Sequence, residues 1–179
     1  MKRTVLGTLT VILGVAVFSV YFAPKKNLKR TVYLDKTVKI LNFTEERDLD
    51  TITSVTATAL KIHDIKIVLV PLSQEEIEET DYLGYIQKWE DFYIIKIRPG
   101  LSKDLILETI SHEMIHCSEN ERGRLKTLYY GIEYDGLVYT PRYPYYLKPF
   151  ELKAYKLEWP LKMYIKGILY ETTNPHCLN

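Results

Sequence analysis

The chain has 179 residues, with 24 lysines and arginines against 23 aspartates and glutamates, and a formal net charge of +1. So balanced a charge gives no reason to expect a nucleic-acid partner. Only two cysteines occur, Cys117 and Cys177, which excludes a disulfide framework, and we expect both to be unpaired thiols.

The N-terminal region carries an apolar run, residues 5–23, that contains no charged side chain. About 20 apolar residues can span a bilayer, and this run is longer than the apolar part of a secretory signal. Cleavage after Ala23 would put the bulky Tyr21 where a small residue is needed, so we expect an uncleaved, single-pass transmembrane helix. Because basic residues flank both ends, the orientation rests on a weak signal: we expect an extracytoplasmic domain and leave a cytoplasmic one open.

The sequence therefore divides into a membrane segment with its basic flank, residues 1–30, and a single domain, residues 31–179. About 150 residues are enough for one hydrophobic core. In chain order, alternation of apolar and polar side chains predicts a strand over residues 31–40. Helical spacing of apolar residues then predicts a helix over 45–62, and an apolar run predicts a second strand over 64–72.

A short helix and a hairpin come next. Ser73 and Glu76 have the spacing of a capping box, which marks a helix start. Residues 84–87 and 92–98 are rich in β-branched and aromatic side chains and are separated by residues 89–91. This pattern predicts two antiparallel strands joined by a short loop.

The most informative motif is the pentapeptide at residues 112–116, which has the form HExxH. On a helix, His112 and His116 project from one face about one turn apart. Zinc accepts neutral imidazole nitrogens, and a catalytic zinc site has a third protein ligand and an open position for water. Glu113 lies about 100° around the helix from His112, which places its carboxylate beside the metal as a general base. So short a motif also occurs by chance, so its context must decide.

The surrounding residues, 101–120, favour a helix. Ser102 is a plausible N-cap, and Asp104 lies in the first turn, where a negative charge suits the helix dipole. Residues at spacings of three and four form a stripe that we expect to face the core: Ile106, Ile110, Met114 and Cys117. Gly123 follows shortly after the expected helix end. The motif thus lies on a helix with one buried face.

A third ligand must come from downstream residues. The candidates are Glu119, Glu121, Glu133, Asp135, Glu151, Glu158 and His176. Pro149 in a first-turn position, followed by the early acid Glu151, predicts the start of a further helix. A helix packed across the first one can direct a carboxylate at the metal, so we favour Glu151, with His176 as the alternative. His63 is assigned no role.

With Glu151 in place, the sequence resembles the gluzincin metallopeptidases, whose pattern is HExxH, a spacer, and a helix bearing E-x-x-A, here residues 151–154. It is most similar to the small, single-domain members found in bacterial and phage genomes. The resemblance implies an α+β, zincin-like domain. In that domain a small mixed sheet, an HExxH active-site helix and a C-terminal third-ligand helix follow the N-terminal transmembrane helix.

The resemblance also implies roles for individual residues. His112, His116 and Glu151 would hold one Zn²⁺, and Glu113 would be the catalytic base. Tyr155 stands where many gluzincins carry an aspartate that orients a ligand histidine. Because it lies one turn after Glu151, Tyr155 is a candidate for contact with the site or with a reaction oxyanion.

Gluzincin-like enzymes use the edge of their sheet as the upper wall of the cleft, where an extended substrate pairs with an exposed strand. By that resemblance Gly84, Tyr85 and Ile86 would contact the substrate backbone by strand addition. The alternative is a plain hairpin that closes the sheet.

Residues 119–148 are expected to form a loop rich in tyrosine, with glycine and proline as breakers and a turn at residues 134–136. A tyrosine hydroxyl can donate a hydrogen bond to the oxyanion of a tetrahedral intermediate. Clustered tyrosines also commonly cover the edge of a core. The sequence does not select one of them.

These observations predict a membrane-anchored, zinc-dependent metallopeptidase that acts on a peptide or protein substrate, with a water polarised by zinc and deprotonated by Glu113. Two alternatives stay open: a non-catalytic zinc module that binds a peptide or partner, and a zinc amidase that acts on cell-wall cross-links. The presence of Glu113 argues against the first, because a structural zinc site needs ligands but no base. The oligomeric state is not predicted.

Overall fold

The computed structural model describes residues 38–40 and 48–173. In this part of the chain, a four-stranded mixed sheet and a three-stranded antiparallel sheet are combined with four α-helices. The elements follow in this order: β1 (Val38–Ile40), α1 (Leu49–Leu60), β2 (Lys66–Pro71), α2 (Gln74–Glu79), β3 (Gly84–Trp89), β4 (Phe92–Ile97), α3 (Lys103–Glu121), β5 (Leu125–Leu128), β6 (Gly131–Tyr134), β7 (Leu137–Tyr139), a 3₁₀ helix (Tyr145–Leu147) and α4 (Pro149–Thr173). The predicted α+β class and small mixed sheet are confirmed.

The mixed sheet has the strand order β1-β2-β4-β3. Strands β1, β2 and β4 are parallel, and β3 is antiparallel to β4. The predicted hairpin is thus present, and its second strand lies inside the sheet while its first strand, β3, lies at the edge. An edge strand has one side on which its backbone groups are not paired within the sheet.

The two faces of the mixed sheet differ in their environment. Side chains alternate along each strand, and the buried set on β2 and β4 comprises Ile67, Leu69, Tyr93, Ile95 and Ile97. This face packs on α3, since Lys88 of β3 and Tyr93 of β4 both hydrogen-bond Asn120 near the end of that helix. On the opposite face, Tyr85 and Lys96 contact Glu76 of α2, where the predicted capping box of Ser73 and Glu76 is confirmed.

Helix α3 begins as the sequence predicts. The Ser102 hydroxyl accepts a hydrogen bond from the Leu105 N–H at 3.3 Å and caps the helix. The central turns are buried, and Ile110, Met114 and Cys117 of the predicted stripe are fully buried. Helix α4 packs across α3 and α1 through Phe150, Ala154, Leu161 and Ile165, which are also buried. The two helices on which site residues were predicted are therefore neighbours.

The prediction that residues 119–148 form a loop is wrong. It contains the antiparallel sheet β5-β6-β7, and Glu119 is still part of α3. These strands have only three or four residues and are partly exposed, so they lack the long alternation by which a strand is recognised in sequence. The predicted turn is present, since Asp135 and Gly136 have φ values of 50° and 83°, as in the tight turns that join hairpin strands.

Some predictions fall outside the described residues. Only residues 38–40 of the first predicted strand are described, and they form β1. Within the described residues, no helix combines the length and the apolar composition needed to cross a bilayer. The predicted membrane helix at residues 5–23, His176 and Cys177 lie outside them.

Candidate metal centre

Three predicted ligands meet between α3 and α4. His112 Nε2 lies 3.1 Å from His116 Nε2 and 3.2 Å from an oxygen, Oε2, of Glu151. The same Glu151 oxygen lies 3.3 Å from His116 Nε2. All three side chains are buried. The structure thus brings together two imidazoles four residues apart and a carboxylate from the second helix.

The triangle of ligand atoms fits a zinc ion. Ligands about 2.0 to 2.1 Å from a tetrahedral zinc are separated from each other by about 3.3 Å, which matches the three measured separations. Two imidazoles and one carboxylate are also a donor set that zinc takes in catalytic sites. In the described part of the chain, no fourth His, Cys, Asp or Glu belongs to this group, which leaves one coordination position open.

The second nitrogen of His112 is held by Glu158. Nδ1 of His112 lies 2.7 Å from a carboxylate oxygen of Glu158 on α4. Since a carboxylate accepts, Nδ1 carries a hydrogen, which makes Nε2 the nitrogen that a neutral His112 could offer to a metal ion. Nδ1 of His116, in contrast, is buried without a hydrogen-bond partner in the structure. The carboxylate support is therefore given to one histidine only.

The charges of His112 and Glu151 follow from these contacts. Burial alone would lower the pKa of His112, but hydrogen bonds to Glu151 and Glu158 outweigh it and raise that pKa to about 10. Burial likewise opposes ionisation of Glu151, yet its hydrogen bonds to the two histidines and Tyr145 lower its pKa to about 2. His112 and Glu151 therefore form a buried ion pair, whose proton a bound cation would replace.

Glu113 is buried beside the ligands without being one of them. Burial raises the pKa of its carboxyl group, and the two histidines and a backbone hydrogen bond from Ile86 offset part of that effect. A carboxylate with a raised pKa holds a proton more readily near neutral pH, which suits a general base. Its contact with Ile86 also places it directly under the edge strand.

The backbone of β3 is oriented toward this site. The Ile97 carbonyl accepts a hydrogen bond from Leu72 on its β2 side at 2.9 Å, so the backbone groups of Ile97 point away from β3. Its partner Gly84, and Ile86 two residues on, therefore form non-hydrogen-bonded pairs with β4. The N–H and C=O groups of Gly84 and the C=O of Ile86 therefore face the open edge, where the Ile86 N–H bonds Glu113.

Gly84 lets β3 approach α3 closely. A Cβ atom at this position would lie 2.6 Å from both the Lys96 carbonyl oxygen and the Thr109 methyl carbon. Only glycine fits that space without displacement of a neighbour. Thr109 precedes His112 by one turn, so the edge strand and the motif helix are in contact at the site.

Two tyrosines border the metal ligands. The Tyr145 hydroxyl, from the 3₁₀ helix, donates a hydrogen bond to Glu151 Oε2 at 2.7 Å. The ring of Tyr155 packs against the His112 ring with centroids 4.9 Å apart and an edge-to-face angle of 62°. Tyr155 thus contacts the site as predicted, but the carboxylate that orients His112 is Glu158, one turn further along α4.

Sequence reasoning missed the roles of Glu158 and Tyr145. Glu158 appeared only among the possible third ligands, although its position seven residues after Glu151 places both on one helix face. Tyr145 was one of seven tyrosines in its segment, with nothing in the sequence to single it out. The other candidate acids do not join the site: Glu119, Glu121, Glu133 and Asp135 pair with basic side chains elsewhere.

The candidate metal centre lies in a cleft with two arms. The first arm, about 290 Å³, is lined on the His116 side by residues that include Ile86, Lys88, Cys117 and Lys148. The second arm, about 200 Å³, is lined on the His112 side by residues that include Asp81, Thr109 and Glu158. Gly84, Glu113 and Tyr145 line both arms. Cys117 is an unpaired, buried thiol, as predicted, and burial raises its pKa.

Comparison with known proteins gives no assignment. No family model matches this chain, and searches of curated proteins and of solved structures found no match. The function of this protein is therefore inferred from the geometry of its described residues.

Proposed function

We propose that this protein is a zinc-dependent metallopeptidase of gluzincin-like build, with His112, His116 and Glu151 as zinc ligands. The observation that carries the proposal is the triangle of three ligand atoms with a buried, non-ligating carboxylate, Glu113, beside it. A purely structural site would have no use for that carboxylate. We also propose, from the composition of residues 5–23, that the domain is membrane-anchored and extracytoplasmic.

Zinc bound at this site would lower the pKa of a water molecule and polarise the scissile carbonyl. Glu113 would accept a proton from the attacking water as its oxygen bonds to the carbonyl carbon, and would deliver that proton to the amine nitrogen as the C–N bond breaks. Glu158 holds the His112 ring in the tautomer that ligation needs. The outward N–H and C=O groups of Gly84 and the C=O of Ile86 would bind the substrate backbone as an added strand.

Tyr145 is the residue best placed to stabilise the oxyanion. Its hydroxyl lies 2.7 Å from an oxygen of the candidate ligand Glu151, and its side chain lines both arms of the cleft. Tyr155 contacts the His112 ring instead, and we assign it to packing of that ligand. A donor that is already in place for developing charge accelerates acyl transfer substantially.

The open edge of β3 favours a peptide substrate over a cell-wall cross-link, because strand addition needs a run of backbone amides. A non-catalytic zinc module would close its metal with a fourth ligand. In the described residues the nearest thiol, Cys117, lines the cleft but does not belong to the ligand group.

The decisive experiment measures zinc per full-length protein by elemental analysis, together with hydrolysis of an unfractionated peptide mixture. We expect about one zinc in the parent and in Glu113→Gln, marked zinc loss in Glu151→Gln, and hydrolysis by the parent alone. A metal-free parent would overturn the metal assignment. Full hydrolysis by Glu113→Gln would overturn the base assignment.

A further inference from the structure

The two arms of the cleft carry opposite charge. Apart from the site residues, the charged side chains that line the His116 arm are Lys88 and Lys148. Those that line the His112 arm are Asp81, Glu108 and Glu158, and no lysine or arginine lines it. An extended peptide that crosses the metal thus meets a positive field on one side and a negative field on the other.

Lys148 carries the positive charge of its arm. Lys88 is 3.2 Å from Glu121, which offsets its charge. The half-buried Lys148 ammonium lies over the rings of Tyr145 and Phe150, 5.4 and 5.9 Å from their centroids, and pairs with no carboxylate among the described residues. A cation held between two rings beside a cleft is ready to bind an anionic group.

The contacts place this ammonium close to the metal ligands. The Tyr145 hydroxyl bonds Glu151 at 2.7 Å, and the Phe150 ring lies 6.0 Å from the His116 ring. Lys148 is therefore separated from the ligand triad by one layer of side chains. A substrate side chain near the scissile bond spans that distance.

The negative charge of the other arm has two sources. Asp81 is exposed and pairs with no basic side chain in the described part of the chain. Glu158 lines the same arm and adds a second carboxylate, which contacts the His112 imidazole. Glu108 contributes less, because Lys162 lies 2.5 Å from it.

The direction of β3 determines which part of a bound peptide meets each charged arm. Strand β3 starts beside the acidic arm, near Gly84, and runs toward Lys88 in the basic arm. Antiparallel pairing is the more stable arrangement, and it places the amino-terminal part of the substrate in the basic arm. We propose that the enzyme selects peptides with an acidic side chain before the scissile bond, bound by Lys148, and a basic side chain after it. This inference rests on the proposed function.

The test compares three fluorescent peptides with one alanine-rich backbone. The first has two glutamates before the central bond and two lysines after it, the second has the reverse order, and the third has glutamines at all four positions. Binding is measured by fluorescence anisotropy on full-length Glu113→Gln protein, with one equivalent of zinc and again with a chelator. Cleavage by the parent is followed by mass spectrometry.

We expect the first peptide to bind about tenfold more tightly than the second, the size of effect of one partly exposed charge-assisted contact. Lys148→Gln should remove most of the gain in affinity that the two glutamates of the first peptide confer. Asp81→Asn should remove part of the gain that its two lysines confer. Lys126→Gln is the matched control, because Lys126 pairs with Glu133 on the small sheet and lines neither arm. Cleavage is expected at the Glu-Lys bond.

The outcomes separate the two proposals. Equal binding of all three peptides, or a preference that Lys148→Gln leaves intact, overturns the charge assignment even when the parent hydrolyses peptides. A Lys148-dependent preference for the reversed peptide overturns the antiparallel direction. A Lys148-dependent preference for the first peptide without hydrolysis by the parent supports the charge assignment and overturns the peptidase function.

Discussion

The carboxylate of Glu158 accepts a hydrogen bond from Nδ1 of His112 at 2.7 Å, across the contact between α4 and α3. This bond links the third-ligand helix to the motif helix at a point other than the ligands themselves. Carboxylate support of a ligand histidine raises its basicity and fixes its orientation. We therefore expect the loss of this hydrogen bond to weaken metal binding.

Replacement of Glu158 by alanine should weaken zinc binding by about 10- to 100-fold, the usual effect of removing such a partner. Glu158→Gln should have a smaller effect, because its carbonyl oxygen can still accept from Nδ1. Competition with a chromophoric chelator measures both values. Lys156→Ala, on the exposed side of the same helix, is the control, and an affinity loss equal to that of Glu158→Ala would refute a specific role for Glu158.

Tyr145→Phe should lower kcat by about a hundredfold while one zinc remains bound, because it removes a donor for the oxyanion and leaves every metal ligand in place. Tyr146→Phe is a close control, since Tyr146 is the next residue and its side chain is 67% exposed. Steady-state kinetics with zinc analysis on both variants tests this. An unchanged kcat in Tyr145→Phe would remove Tyr145 from the mechanism.

The ligand set could be predicted because each part of it follows from local sequence. The HExxH spacing fixes two imidazoles on one helix face, and Ser102 marks where that helix starts. Glu151 follows from Pro149, which marks the start of α4. The described residues place all three ligand side chains together, as predicted.

The supporting residues could not be predicted because they depend on how elements pack. The spacing places Glu158 on the helix face of Glu151, but which group it reaches depends on how α4 packs against α3, which the sequence does not specify. Tyr145 is placed by a 3₁₀ turn that no short pattern specifies. The strands β5 to β7 are held in part by Glu119, whose buried carboxylate accepts from Tyr134 and pairs with Arg124 and Lys153.

Gly84→Ala should destabilise the fold by about 1 to 3 kcal/mol, because its methyl group would overlap the Lys96 carbonyl and the Thr109 side chain, each 2.6 Å away. Peptide binding should weaken as well, since β3 must move away from α3. Gly167→Ala in α4 is the control. Apart from the chain neighbours and the backbone of α4 itself, no described atom lies within 4 Å of a Cβ added there, so the better helix propensity of alanine should stabilise the protein by about 0.5 to 1 kcal/mol. Urea unfolding gives the change in unfolding free energy for both variants. A stabilised Gly84→Ala variant, or a destabilised Gly167→Ala variant, would contradict these expectations.

The ion pair of Glu76 with Lys96 predicts a pH dependence of stability. Hydrogen bonds from the Lys96 ammonium, 2.5 Å away, and from Tyr85 lower the pKa of Glu76 from 4.5 to about 2. A lowered folded-state pKa gives stability that is present above about pH 4.5 and is lost as the pH falls toward 2. Glu76→Gln should therefore cost about 1 kcal/mol at pH 7 and almost nothing near pH 2.

Glutamine at position 76 retains the acceptor for the Ser73 N–H, so the capping box survives while the contacts of the other oxygen with Lys96 and Tyr85 are lost. Glu78→Gln is the control, because Glu78 hydrogen-bonds Gln74 and contacts no lysine. Urea unfolding of the parent and both variants at pH 7, 4.5 and 3 measures the difference. A penalty for Glu76→Gln that stays constant across this range would mean that the charge of Glu76 contributes nothing to the attachment of α2 to the sheet.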